Sequence, residues 1–191
     1  MKALLFDGSR EGDPVSGQAR EVIERNLRAK GWEVSSLTLR DMEIAPCLGC
    51  FRCWTETPGM CIIDDAGNNV VRQFMASDLA VFLTPVTFGG YSSVLKKALD
   101  RFCPTLLPFF EKTGGEVKHV QRYDHHPAIM ALGVLPGPDI AEEEIFRTLV
   151  SRNAGNFAAP SRATGVITRG QGANDVEREV RSLFVKVGVG P

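Results

Sequence analysis

Leu79–Arg101, LAVFLTPVTFGGYSSVLKKALDR, holds a complete strand–loop–helix unit. Leu79–Leu83 is short and wholly apolar, as a strand buried on both faces of a parallel sheet requires. Pro85 and the pair Gly89-Gly90 then break regular structure and let backbone amides approach a flat ring, with Phe88 and Tyr91 available to wall it. From Ser93 to Phe102, residues Val94, Leu95, Ala98, Leu99 and Phe102 fall on one helical face.

The same alternation extends outward in both directions. Ala3–Phe6 and Ala128–Leu135 are apolar strands, Gly165–Ile167 is a short one, and Glu33–Leu39 alternates as an edge strand does. Helices are expected over about Ser16–Lys30, Gly67–Ala76, Asp139–Asn153 and Asn174–Val185, with Gly31 placed to end the first. Five apolar strands joined by helical crossovers make a doubly wound parallel α/β sheet. The 191 residues are read as one domain, with a cysteine-rich loop at 41–63 and an irregular insertion at 104–127 that could hold a small hairpin or lie against a partner subunit.

Composition narrows the function classes. With 22 basic and 23 acidic residues, the chain lacks the basic excess of a nucleic-acid binder. No apolar run approaches the roughly 20 residues of a membrane span. Asp7 interrupts the first apolar run too early for a secretory signal, so the expected compartment is the cytoplasm. No Ser-His-Asp spacing or glutamate pair supports hydrolysis, and His125-His126 in a loop point apart, a poor arrangement for a metal. His119, His125 and His126 are expected at a surface or interface.

Ligands of open α/β sheets bind at the carboxyl ends of the strands. After the first strand comes GSREGDPVSGQ (Gly8–Gln18), which lacks both the lysine of an ATP-binding loop and the glycines of a dinucleotide site. Its small hydroxyl residues and free amides lead into a helix N-terminus and suit one terminal phosphate. After the second strand, Cys47, Cys50, Cys53 and Cys61 fall within fifteen positions, spaced Cys-x2-Cys-x2-Cys-x7-Cys. Clustered thiols in a reducing compartment read as metal ligands or redox groups before disulfides. Three readings stand: a [4Fe–4S] cluster, which compact triplets favour; bare or partly oxidised thiols; and zinc, which more often takes two separated Cys-x-x-Cys knuckles. Cys103, beside Phe102, is expected to be an inert core thiol.

GSR before a serine-led helix, together with TPVTFGGYSSVLKKALDR, resembles the flavodoxin-like NADPH-dependent FMN reductases. Adding PCLGCFRCWTETPGMCIIDD narrows the resemblance to the iron–sulfur flavoproteins. It covers residues 1–103 by motif and the remainder by element order. It implies a flavodoxin-like sheet of order 2-1-3-4-5, FMN at the switch point, and a homodimer or homotetramer. Carried over by position, Ser9, Arg10, Ser16, Gly17 and Gln18 hold the phosphate. Pro85, Val86, Thr87, Phe88 and Gly89 line the isoalloxazine, with Gly133 as a further contact. Many relatives carry an aromatic where Thr87 stands, which shifts ring stacking to Phe88 or to another subunit.

The resemblance implies an oxidoreductase in which Cys47, Cys50, Cys53 and Cys61 hold the [4Fe–4S] cluster, linking FMN to a small one-electron carrier or to NAD(P)H. The cluster would lie near the FMN of a neighbouring subunit, the cysteine loop emerging on the flavin side of the sheet. Two alternatives stand beside it: a cluster-free NAD(P)H-dependent FMN or quinone reductase, and a flavin redox sensor without turnover.

Overall fold

The computed structural model describes residues 1–190. Strands β1 (Lys2–Asp7), β2 (Glu33–Thr38), β3 (Leu79–Pro85), β6 (Ala128–Leu135) and β7 (Arg162–Thr168) form one parallel sheet in the order β2-β1-β3-β6-β7. Counted within that sheet, the order is the expected 2-1-3-4-5, and the fold is flavodoxin-like. The period of two in each strand divides the apolar residues between two cores. Leu5, Val81, Leu83, Met130 and Leu132 face α1 (Pro14–Ala29) and α6 (Ala173–Val187). Leu4, Phe6, Ala80, Phe82 and Ala131 face α3 (Ala66–Met75), α4 (Ser93–Asp100) and α5 (Ile140–Asn156). Among the described residues, no helix is long and apolar enough to cross a membrane.

Local chemistry starts each helix where the topology needs it. Pro14 opens α1, where its missing N–H would have no intrahelical partner anyway. Asp65 caps α3 by accepting from the Gly67 amide, Ser92 caps α4 at the Leu95 amide, and Asp139 caps α5 at the Glu142 amide.

The insertion holds a small hairpin, one of the two forms expected of it: β4 (Leu106–Thr113) and β5 (Glu116–Gln121) run antiparallel, with α2 (Arg52–Thr55) the short helix that meets them. Gly114 and Gly115, at φ 61° and 85°, make the two-residue turn that antiparallel strands favour. Alternation could not reveal these strands, because Phe109, Phe110 and Val117 stay exposed and neither face covers a core. Polar bonds hold the hairpin instead. Trp54 Nε1 donates to the carbonyls of Cys103 and Leu106, and Gln121 Nε2 donates to the Asn156 carbonyl. His119 bonds the Leu107 carbonyl and His125 the Ser77 carbonyl, so both serve backbone anchoring.

The cysteine loop also departs from the expected course. Instead of staying at the carboxyl rim, it packs against the far end of α4, beside Asp100 and Arg101. The eight residues of α4 put about 12 Å of helix axis between that point and the rim.

Candidate functional site

At the carboxyl rim, β1 and β3 meet so closely that the Gly8 amide bonds the Leu83 carbonyl at 2.8 Å. A Cβ on Gly8 would stand 2.8 Å from Ser92 Oγ and 2.9 Å from Leu95 Cβ, so only glycine fits. Asp7, buried at the end of β1, accepts from the Ser9 amide and hydroxyl and from Arg20 Nη1 at 3.1 Å. Arg20 also reaches Thr38, tying the first loop to α1 and β2. Arg40 stands 3.8 Å from the same carboxylate, so two guanidiniums face one acid.

Between these loops lies a cleft of about 400 Å³, lined by Gly8, Ser9, Arg10, Arg40, Pro85, Thr87, Ser92 and Ser93. A second, of about 280 Å³, lies beside it along Arg10–Val15 and reaches Arg169 at the end of β7. The amides of Val15 and Ser16 lie ahead of the first intrahelical donor of α1, Gly17, and are the helix's orphan donors. Arg40, Ser92, Ser93 and Arg169 were not among the expected ligand residues. The serines close the flagged loop itself, whereas only topology brings the two arginines to this rim.

The expected ligand residues separate into two groups. Ser9, Arg10, Pro85 and Thr87 line the larger cleft. Ser16 is buried and its hydroxyl donates to Asp13 at 2.7 Å, while Gly17 and Gln18 lie in the first turns of α1. Val86 turns into the core and fills the space where a Gly133 Cβ would stand, 2.6 Å from Val86 Cγ2 and 2.8 Å from Phe146. Gly133 is therefore a packing glycine in this structure. Tyr91 likewise faces the core between Phe82 and Phe146; it accepts from Asn153, and burial pushes its hydroxyl up to about 12. Phe88 is the aromatic left at the rim. It is 90% exposed, at φ 51°, on the tip of a tight turn in which Thr87 and Gly90 exchange backbone bonds. A non-glycine residue held in that region stores about 1–3 kcal/mol of strain. Gly89 beside it, at φ 70°, has no room for a Cβ because Ile145 of α5 lies 2.4 Å from that position.

At the other end of α4, Cys47, Cys50, Cys53 and Cys61 line one cavity of about 30 Å³ together with Arg101 and Cys103. Cys103 is thus a fifth thiol of this pocket and not a core residue, because α4 ends at Asp100 and the chain turns back toward Cys53. Burial, with Cys53 adjacent, pushes the Cys103 thiol up to about 12. Burial also raises Cys53. Among the described residues, no three His, Cys, Asp or Glu side chains gather as the ligands of one ion would.

The neck of the cysteine loop is closed by a polar clasp. Arg101, 1% exposed, forms a two-pronged pair with Asp65 at 2.8 and 3.0 Å. It also donates to the carbonyls of Ala45 (3.0 Å) and Ile63 (3.1 Å). Asp65 in turn accepts from the amides of Ala45 and Gly67. A Cβ on Gly67 would meet the guanidinium carbon at 2.9 Å, so glycine is what lets Arg101 lie against the start of α3. Burial alone would raise the Asp65 carboxyl, but Arg101 and the two amides hold it below the ordinary carboxylate value. Asn68 ties the carbonyls of Cys61 and Ile63 into the same corner.

Residues 1–132 match the NADPH-dependent FMN reductase family. The chain is 36% identical over 122 residues to an iron-sulfur flavoprotein of Methanocaldococcus jannaschii, a match covering 61% of each chain. To an iron-sulfur flavoprotein of Methanosarcina thermophila it is 30% identical over 105 residues, covering 53% of this chain and 52% of that one. The matches thus span between half and two thirds of the length of these curated relatives. Among solved structures, an NAD(P)H:quinone oxidoreductase from Methanothermobacter marburgensis superposes with a TM-score of 0.70 at 12% identity, covering 95% of this chain and 93% of that one. An FMN-dependent NADH-azoreductase from Bacillus anthracis, in complex with FMN, gives 0.64 at 12% identity over 99% of both chains. At these identities the likeness to the solved structures is one of fold.

The clasp makes stability depend on acid in a defined direction. Because the folded Asp65 carboxyl titrates below its unfolded value, its contribution is complete above about pH 4 and is lost as pH falls through the folded value. Asp65→Asn should destabilise the chain by about 3–5 kcal/mol at neutral pH, since it leaves Arg101 buried without a counter-charge. It should also flatten the acid limb of a denaturation-versus-pH profile. A variant with the wild-type slope below pH 4 would show that the pair does not set it.

Proposed function

The chain belongs to the NADPH-dependent FMN reductase family, and on that footing we propose that it is an FMN-dependent oxidoreductase with a [4Fe–4S] cluster in its cysteine loop. The observation that carries the flavin part is the paired clefts at the rim where β1 and β3 end. Arg10 lines both, the orphan amides of α1 open beside it, and the larger cleft continues to the Pro85–Gly89 turn. In this reading Ser9, Arg10 and the first turn of α1 receive the phosphate, and Pro85, Thr87 and the Phe88-Gly89 tip meet the ring. Ser16, Gly17 and Gln18 set the position of that turn. Bound FMN supplies hydride and single-electron chemistry, and the chain's own task is to bind it, orient it and tune its surroundings.

The cysteine pocket supports the cluster part through its donor set. Four thiols border one cavity, and an all-cysteine donor set is the one that iron–sulfur clusters take. The Gly49 amide donates to Cys47 Sγ at 3.5 Å. Such a cluster supplies one-electron steps, so the protein would join a two-electron donor such as NAD(P)H to a one-electron carrier. The names of the two curated relatives agree with this assignment. A cluster-free NAD(P)H-dependent reductase is the competing outcome of the tests below.

Self-association belongs to the same proposal. Phe109, Phe110 and Val117 on the hairpin, and Phe51 and Met60 on the cysteine loop, are exposed apolar residues, and the rings of Phe51, Trp54, His119 and Phe110 follow one another from the loop to the hairpin. A patch of this kind marks an interaction surface. A second copy seated there would cover the cysteine loop and bring another subunit's rim toward it.

Arg10→Glu should weaken FMN binding by about one to two powers of ten, the worth of a charge-assisted bond to phosphate, and leave riboflavin binding nearly unchanged. Equal loss for both ligands in a fluorescence titration would move the phosphate elsewhere. Cys50→Ser should lose iron and sulfide while keeping FMN; wild-type protein purified without oxygen and free of iron and sulfide would make the cluster-free reductase the correct reading. Sedimentation at micromolar concentration should give a dimer or tetramer, and a monomer carrying FMN would remove the self-association proposal.

A further inference from the structure

Arg101 has five N–H groups, and the clasp uses four of them. Nη1 serves Asp65 and the Ala45 carbonyl, and Nη2 serves Asp65 and the Ile63 carbonyl. The fifth, on Nε, is buried and has no hydrogen-bond partner among the described residues. A buried donor without a partner costs about 1–3 kcal/mol, more when charged, so an arrangement that keeps one open calls for an acceptor. The side chain lines the same cavity as Cys47, Cys50, Cys53 and Cys61, whose sulfurs are the acceptor chemistry at hand. The planar fork also explains why arginine stands here: an ammonium could not hold a carboxylate and two carbonyls in one plane while leaving a further N–H free.

We propose that Arg101 is the positioning residue of the cysteine centre, closing the neck of the loop with four N–H groups and giving its Nε–H to sulfur of the bound cluster. The inference rests on the cluster reading given above. Its two halves have separate consequences. Closing the neck at Ala45, Ile63 and Asp65 holds the ligand loop in its binding shape, which slows loss of iron. A hydrogen bond to sulfur stabilises the more negative, reduced state of a cluster and so raises its reduction potential. Because the same helix that ends at Arg101 begins at Ser92 and Ser93 of the larger cleft, α4 spans from the flavin rim to the clasp.

The test compares wild type with Arg101→Lys, which keeps the charge opposite Asp65 but loses the fork. Proteins are purified without oxygen, checked for unchanged FMN content, then followed for iron release to a chelator and for cluster potential by spectroelectrochemistry. Iron release should become about 10–100-fold faster, the usual cost of losing an outer hydrogen-bond partner of a metal ligand. The potential should move to more negative values. The double variant Arg101→Gln, Asp65→Asn removes both charges together and should shift both readouts the same way, so the assignment does not hang on one variant's folding. Either readout staying at its wild-type value in the lysine variant overturns the role of Arg101 while the cluster stands. Wild-type protein without iron and sulfide overturns the cluster reading itself, and this role with it.

Discussion

A parallel strand covered on both faces has nowhere to put an unpaired polar side chain, and β3 meets that constraint from Leu79 to Pro85, every residue of which is buried and whose one hydroxyl, on Thr84, is hydrogen-bonded. Its neighbours β1 and β6 are held to the same demand, so alternate residues must satisfy two different helical layers. Phe6 illustrates the consequence: its ring meets Phe74, Phe82 and Phe102 edge-on, while Leu5 beside it belongs to the other core. Polar groups are excluded until the last residues of the strands. There they appear together, with Asp7 closing β1, Ser9 just beyond it, and the Thr84 hydroxyl, next to last in β3, accepting from the Ser92 amide. The chemistry of the rim is therefore a product of the dryness of the sheet.

The two candidate centres are built on different principles. The rim is a backbone site: glycines that admit close approach, amides at a helix start, and a turn whose Phe88 is held in a left-handed conformation. The cysteine pocket is a side-chain site, set by thiols on an extended loop that would not hold its shape unaided. Its order comes from a buried ion pair, and such pairs repay their desolvation only when every remaining lone pair and N–H is used. Asp65 meets that condition through two amides, and Arg101 falls one donor short of it, its two carbonyl partners leaving Nε–H over. Helix α4 carries the capping serine of one site at its start and the clasp of the other at its end.

The family resemblance and the element order were legible because they rest on local patterns. The apolar runs at Ala3, Leu79 and Ala128 place three central strands, and the loop motifs around Ser9 and Pro85 stand at the ends of two of them. The hairpin was legible only as one option for the insertion and its strands not at all, since strands that cover no core carry no alternation, and it is held by Trp54, Gln121 and Arg122 bonds to distant carbonyls. The reading of Tyr91 as a ring wall failed for a related reason. A tyrosine one residue past a paired glycine has two faces to choose from, and only the packing of Phe82 and Phe146 decides between them.

By itself, then, the sequence determined the five strands of the parallel sheet and the helices that cross between them, the class of loop at its rim and the thiol character of the second centre, because periodicity, breakers and residue chemistry are properties of neighbours along the chain. The tertiary structure alone decided that Arg40 and Arg169 reach the rim, that Val86 and Gly133 face the core, and that Cys103 joins the cysteine pocket. It also decided that Arg101 clasps a loop whose ends lie 36 and 56 residues before it. The physical reason is common to all of these. Each depends on which groups are desolvated together, and burial is set by the packing of elements far apart in the chain.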